Sequence, residues 1–245
     1  MQILLRERDC GPCPYLEGRA WRIRHFSAPR VDPGLYEELL ARGFRRSGSS
    51  FYMNACPGCG SCVPVRLSVG GFEPTASQRR LGRRNADLRL ELLPAAYTEE
   101  RFDLYRRYLK ERHGEDSGDG DAAREAYRSF LVESPVPGTS IAEYRLPDGS
   151  LAATGYLDVL PGGLSSVYFA FDPKESRRSV GTWSVGRELE LAASLGKRYY
   201  YLGFWVPGSE KMDYKADFRP FEFALDGTWR PARDRSEALA AMEIA

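Results

Sequence analysis

The sequence predicts a mixed α+β / α/β protein in two parts. Residues 1–95 read as a small Cys-containing, Arg-rich N-terminal domain, and residues 96–245 as a mixed sheet with one crossover helix. Three observations support this. All five cysteines fall within the first 62 residues. Between Ile141 and Phe204 the patterning reads strand, strand, strand, helix, strand. The composition is 42% hydrophobic with a net charge of only +1, which supplies a core and excludes the low-hydrophobicity, high-charge signature of disorder. No run approaches 18 uncharged apolar residues, so no membrane span is expected. Arg6, Glu7, Arg8 and Asp9 break the start of the chain, which is unlike a secretory leader. A cytoplasmic protein is the expectation.

In the front part, short apolar stretches split by Gly and Pro predict mainly strands and loops. One helix is predicted from Pro33 to Arg42: Pro33 suits a first turn, Leu35, Leu39 and Leu40 supply a face, and Gly43 is a stop. Residues 43–52 form a basic, turn-rich segment. Val63, Val65, Leu67 and Val69 alternate on one face of a strand, which turns Arg66 to the other. Ser77 to Asn85 is the densest basic run; Arg79, Arg80, Arg83 and Arg84 make either a charged helix surface or a phosphate-binding track.

The second part opens with a helix from Thr98, a suitable N-cap, to His113. An acidic loop, 114–121, and a helix over 122–132 follow. Strands are predicted at 141–146, 151–160 and 164–171, separated by the turn signals Asp148-Gly149 and Pro161-Gly162-Gly163. A polar loop, 174–179, then leads to a helix over 180–195, closed by Gly196, and to a strand over 199–204. The final helix-to-strand step predicts a parallel crossover.

Five thiols without a secretory leader argue against a disulfide scaffold. The spacing Cys10-x2-Cys13 with Cys56-x2-Cys59-x2-Cys62 suits ligation by four sulfurs at most, to zinc or an iron–sulfur cluster alike. Unligated packing in a core is the competing reading. Net charge is positive over residues 1–114 and negative beyond, so the front is the better face for a polyanion.

The strand–helix order of the second part resembles acetyl-CoA-dependent N-acetyltransferases. Their loop of the form Gln/Arg-x-x-Gly-x-Gly/Ala holds a pyrophosphate at a helix N-terminus. Here the stretch is Arg178-Ser179-Val180-Gly181-Thr182-Trp183. Trp183 replaces the last small residue, which speaks against ordinary acetyl-CoA and leaves another anionic or aminoacyl donor open.

Taken together, the segments resemble the bacterial aspartate/glutamate leucyltransferases, the short bacterial branch of the arginyl-tRNA–protein transferase family. The resemblance rests on Cys13-Pro14-Tyr15-Leu16, Gly43 to Gly48 with Tyr52, the three cysteines at 56, 59 and 62 with Pro64-Val65-Arg66, and Ser77 to Arg80. It continues through Tyr105, Tyr108, Arg112 and His113, then Gly163 to Tyr168, Ser179-x-Gly181 and Tyr201 to Trp205. It closes with Lys211-Met212-x-Tyr214-Lys215 and Arg219-Pro220. Ser209 stands where many members have a Cys, and Cys10 resembles the eukaryotic relatives, which are associated with an iron–sulfur cluster. The resemblance implies transfer of leucine from Leu-tRNA to the α-amine of proteins beginning with Asp or Glu, in the N-degron pathway. The same reaction from Arg-tRNA and a CoA-dependent N-acyl transfer are the alternatives, together with a thiolate–metal module that only binds nucleic acid.

Such a transfer needs no cofactor, because the donor ester is already activated. It needs orientation and oxyanion stabilisation. Lys211, Tyr214 and Lys215 are expected to donate to the oxyanion or the tRNA terminus. Arg45, Arg46 and Arg66 are candidates for gripping the acceptor carboxylate or a phosphate. Arg79, Arg80, Arg83 and Arg84 are assigned to the tRNA backbone, and Ser179 and Gly181 to the donor loop. Asp158 or Asp172 is a candidate proton acceptor, with turn formation as the plainer role. Tyr168, Tyr201 and Trp205 are candidates for stacking on the terminal adenine, with core packing as the alternative. His25 and His113 are too few for a His-based metal site.

Overall fold

The computed structural model describes residues 3–243. The front part begins with β1 (Arg6–Pro12) and β2 (Ala20–Ser27). Next comes α1 (Pro33–Ala41), whose first amides, Gly34 and Leu35, donate to the Asp32 side chain. Gly43, at φ +87°, ends it as expected. The turn-rich basic segment is a tight hairpin, β3 (Arg45–Ser47) and β4 (Ser50–Asn54). These strands form an antiparallel sheet in the order β1-β2-β4-β3.

The chain then supplies β5 (Val63–Ser68), α2 (Ala76–Arg84), β6 (Arg89–Pro94) and α3 (Glu99–His113). The helix predicted over 122–132 is α4 (Asp121–Tyr127) running into a π-helical turn, Arg128–Val132. The predicted strands are present as β7 (Thr139–Arg145), β8 (Leu151–Val159) and β9 (Gly163–Phe171), followed by a 3-10 turn, α5 (Val180–Ser194) and β10 (Tyr199–Trp205). Three further elements complete the chain: β11 (Phe221–Leu225), β12 (Thr228–Ala232) and α6 (Arg235–Glu243).

The second sheet has eight strands in the order β12-β11-β5-β10-β9-β8-β7-β6. Only β9 and β10 run parallel, as the crossover through α5 requires. The boundary expected at residue 95 falls inside this sheet, because β5 and β6 precede it yet are strands of it. Leu189, Val185 and Ala192 of α5 pack with Leu164, Tyr200 and Leu157 in the main core. A second cluster joins α1 and β4 to the large sheet through Tyr36, Phe51, Leu160 and Tyr201. No helix among the described residues is long and apolar enough to cross a membrane.

Strands β9 and β10 stay paired for only three residues, Gly163–Ser165 against Tyr199–Tyr201. Beyond that they part, each following its outer neighbour. Each carries a register shift where the parting begins: β9 against β8 between Ser166 and Tyr168, and β10 against β5 between Tyr201 and Gly203. A bulge bends the strand that bears it and re-aims its side chains. The result is a fork in the middle of the sheet, with Ser166 to Phe169 partly exposed along one arm.

Candidate active site

The fork is entered from the small sheet by Arg45. The residue before it ends the α1 turn, and β3 carries consecutive arginines whose side chains leave on opposite faces. Arg46 points to β8 and is fixed there. Its Nε and Nη2 each donate to Asp158 at 2.7 Å, and Thr139 donates to the same carboxylate at 2.5 Å. With side chains 1% and 0% exposed, Arg46 and Asp158 are spent on each other. Arg46 and Asp158, both expected at the site, are thus held against each other and away from solvent.

Arg45, 8% exposed, reaches the other way: its Nη2 donates to the carbonyl of Ser166 on β9. On the opposite arm stands Gly203, at φ +95° in the β10 irregularity. A Cβ there would lie 3.7 Å from Arg45 Nη2 and 3.1 Å from Lys215 Nζ. Lys215 comes from a 3-10 turn, Asp213–Asp217, beyond β10 and is also 8% exposed. Burial, with Arg45 adding repulsion, pulls its amine from 10.5 down to about 7. Trp205, fully buried, donates from Nε1 to Asp213 at 2.9 Å and so pins the same turn. It is a core anchor and presents no face for stacking on a base. Tyr201 is likewise packed on Trp229 in the second cluster.

Tyr214 is half-buried against Phe218, and burial, with Glu188 and Tyr108 nearby, pushes its phenol up to about 12. Lys211 is exposed, and its charge helps hold His113 of α3 below the usual imidazole range, after burial as the larger cause. These contacts put the 3-10 turn across from the end of α3. Tyr168 stands on the β9 arm, partly exposed, within a cluster of Tyr105, Tyr108, Phe130 and Tyr156 rings. Arg66 is engaged: it donates twice to Glu222, at 2.8 and 2.6 Å, and lies 3.7 Å from the Tyr199 ring centre and 4.2 Å from that of Trp229. The structure thus brings Arg45 and Lys215 together and holds Arg66 apart with its own carboxylate. Asp172 caps the turn before α5 and pairs with Arg107 at 2.9 Å, the plainer of its two expected roles.

At the start of α5, Ser179 takes a left-handed φ of 54°, and Gly181 lies close to Phe169. Trp183 is buried edge-on to Tyr144, filling the place where a small residue would leave room. On the outer side of α5, a groove of about 510 Å³ runs along α2 and is lined by Arg79, Arg83 and Arg187 with Trp183 at its floor. Thr75 and Gln78 form a capping box at the start of α2, and Asn85 ties its end to the Arg178 carbonyl before α5. None of Arg79, Arg80, Arg83 and Arg84 has a carboxylate within salt-bridge distance among the described residues.

The five cysteines are free thiols. Cys13, Cys56 and Cys59 lie near enough to Cys62 to raise its thiol, which burial chiefly pushes up to about 12. Cys56 exchanges hydrogen bonds with the Arg22 backbone, Cys13 accepts from the Leu16 amide, and Cys59 donates to Ser61. Among the described residues no three His, Cys, Asp or Glu side chains converge to hold a metal ion. Four of the five expected ligands, Cys13, Cys56, Cys59 and Cys62, nonetheless lie in one neighbourhood.

Glu188 escaped the sequence reading. It sits on the buried stripe of α5, accepting from Tyr200 at 2.5 Å and Tyr144 at 3.3 Å. Burial raises its carboxyl to about 7. A Cβ on Gly155 would lie 2.8 Å from its Oε1, so β8 passes close above it. Its signal was a lone carboxylate in line with Val180, Ser184 and Ala192.

A two-part chain whose parted parallel strands receive basic side chains from both parts has the build of a group-transfer enzyme. Residues 11–80 match the family described as arginine-tRNA-protein transferase, N terminus, and residues 100–225 match its C terminus. The chain belongs to this family of transferases. It is 44% identical to the aspartate/glutamate leucyltransferase of Marinobacter nauticus over 223 residues, 89% of this chain and 91% of that one. It is also 44% identical to the protein of the same name from Parvibaculum lavamentivorans over 220 residues, 89% and 90% of the two chains. Among solved structures it is similar to the L-PGS of Bacillus licheniformis, with 12% identity, a TM-score of 0.45, and coverage of 86% of this chain and 73% of that one.

Proposed function

We propose that this protein moves leucine from Leu-tRNA to the α-amine of proteins that begin with Asp or Glu, creating an N-terminal leucine for the N-degron pathway. The observation that carries the reading is the extent of the likeness: relatives named aspartate/glutamate leucyltransferase align over 89% of the chain at 44% identity. The fork supplies a place for the reaction. In the transfer, the amine nitrogen bonds to the ester carbonyl carbon, the carbon–oxygen bond to the terminal ribose breaks, and the amine proton balances the released hydroxyl. The acceptor amine, with an ordinary pKa of about 7.7–8.0, is partly neutral near pH 7.5. The enzyme's task is to hold amine and ester together and to stabilise the oxyanion, worth roughly 2.7–4 kcal/mol per donor. Lys211, just before the 3-10 turn, and Tyr214, within it, are the donors assigned to that oxyanion or to the tRNA end. Tyr168 offers a ring on the β9 arm for the terminal base. The unpaired arginines of α2 serve the tRNA backbone. No cofactor is drawn into this transfer, and it belongs in the cytoplasm, where charged tRNA is made.

Purified protein given labelled Leu-tRNA and a peptide beginning with Asp is expected to label the peptide. Label from Arg-tRNA alone would change the donor and keep the class. Transfer from acetyl-CoA with none from either tRNA would overturn the reading; Trp183 in the donor loop speaks against that outcome.

A further inference from the structure

The other buried arginines among the described residues come with carboxylates, Arg46 with Asp158 and Arg101 with Glu143, and the half-buried Arg66 has Glu222. Arg45 and Lys215 break that pattern. Both are 8% exposed, both approach the same point on Gly203, and neither has an Asp or Glu within 4.0 Å among the described residues. Arg45 has one acceptor among the described residues, the Ser166 carbonyl. Held together out of water the two lose hydration and repel each other when both are charged, so without an anion the Lys215 amine gives up its proton readily. An anion between them reverses that tendency. Beside them, the hydroxyls of Tyr36 and Ser165 and Nη1 of Arg46 are buried with no hydrogen-bond partner among the described residues. Tyr36 lies close enough to Asp158, Arg45, Arg46 and Ser165 to feel all four. The place is therefore polar and buried, with Asp158 already neutralised by Arg46, and Arg45 ties it to the β9 arm at Ser166.

Building on the function proposed above, we infer that Arg45 and Lys215 together seat the side-chain carboxylate of the acceptor's first residue. An enclosed seat favours a carboxylate on a thin peptide end over a backbone phosphate, for which α2 offers exposed, unpaired arginines. Gly203 belongs to the device. Any larger residue would bring its Cβ to 3.1 Å from Lys215 Nζ, in a left-handed conformation that L side chains rarely adopt. The seat selects acidic starts by charge and enclosure. An Asn start would leave both cations unneutralised.

The test uses the full chain without donor and compares two peptides, identical except that one begins with Asp and the other with Asn, by calorimetry. Wild type is expected to bind the Asp peptide at least tenfold more tightly. Lys215→Met and Arg45→Gln are expected to remove most of that preference and to leave the affinity for Leu-tRNA within about twofold. Lys215→Arg, which keeps the charge, is expected to retain part of it. Thermal melts accompany each variant, and Lys215→Met, which deletes an unpaired buried cation, is expected to melt no lower than wild type. A full Asp-over-Asn preference surviving in both charge-deleting variants overturns the seat, as does a loss confined to tRNA binding. Wild type that transfers leucine while its variants keep the preference sinks only the seat. Wild type that transfers none sinks the underlying reading.

Discussion

Glu188 titrates near neutrality because α5 buries it under a sheet that offers it hydroxyls and no cation: Tyr200, Tyr144 and Ser166. Its carboxyl is raised from 4.5 to about 7 in the fold, so between those values the folded state holds a proton that the unfolded chain has released. Stability contributed by this group is complete below pH 4.5 and is lost as pH rises through 7, by about 3 kcal/mol. Glu188→Gln is expected to flatten that part of the stability–pH curve in urea melts at pH 5 and pH 8; equal slopes for both proteins would refute the assignment. Arg46 and Asp158 make the opposite case, a buried pair that is satisfied. Removing one partner, as in Asp158→Asn or Arg46→Met, is expected to cost about 3–5 kcal/mol, and replacing both with apolar residues much less. Denaturant midpoints for the two single variants and the double variant decide this. Neither pairing was legible in the sequence, because Asp158 lies 112 residues from Arg46 and only the fold makes them neighbours. The sequence did expose the residue types; it could not say which arginine of the Arg45-Arg46 step was already neutralised.

Elements with local signals were read well. The capped helix after Asp32, the alternation of β5 and the strand–turn–strand run through Asp148-Gly149 all depend on neighbours within a few residues. The β11–β12 hairpin had such a signal too, in Asp226-Gly227, where both residues take positive φ as a two-residue turn requires. It went unread, whereas the placement of β5 between β10 and β11 has no local signature at all. Helix α2 was legible as basic, and the structure adds that none of its residues is buried. Replacing Arg79, Arg80, Arg83 and Arg84 with Gln is thus expected to leave the circular dichroism and melting temperature nearly unchanged. The dependence of log tRNA affinity on log salt should become shallower by about 0.7–0.9 for each phosphate the variant no longer neutralises. An unaltered slope would remove α2 from the tRNA track.

At the scale of the whole molecule, the front part is woven into the second. Strand β5 separates β10 from β11, and β6 closes the far edge. A chain beginning at residue 96 would leave β10, β11 and β7 each short of a partner strand and uncover the core that Val63, Val65 and Leu67 shield. It is expected to show no cooperative unfolding transition in urea, whereas the full chain does; a cooperative transition in the fragment would mean that the sheet can re-form without β5. The sequence predicted two parts divided near residue 95, but the sheet is continuous across that point because its order is decided by pairings between distant segments.

Two strands that run side by side and then diverge have an evident way to relax, which is to zip together. Along Ser166–Phe169 and Leu202–Trp205 the inner edges forgo the ladder they share at their roots, and a guanidinium sits where the next rungs would form. That guanidinium is delivered by β3, and β3 is bolted to β8 by the very next residue. The small sheet thus sets the gauge of the mouth. Loosen the bolt and the jaws lose their spacer, so damage at Asp158 would be felt as a narrowed entrance one strand away.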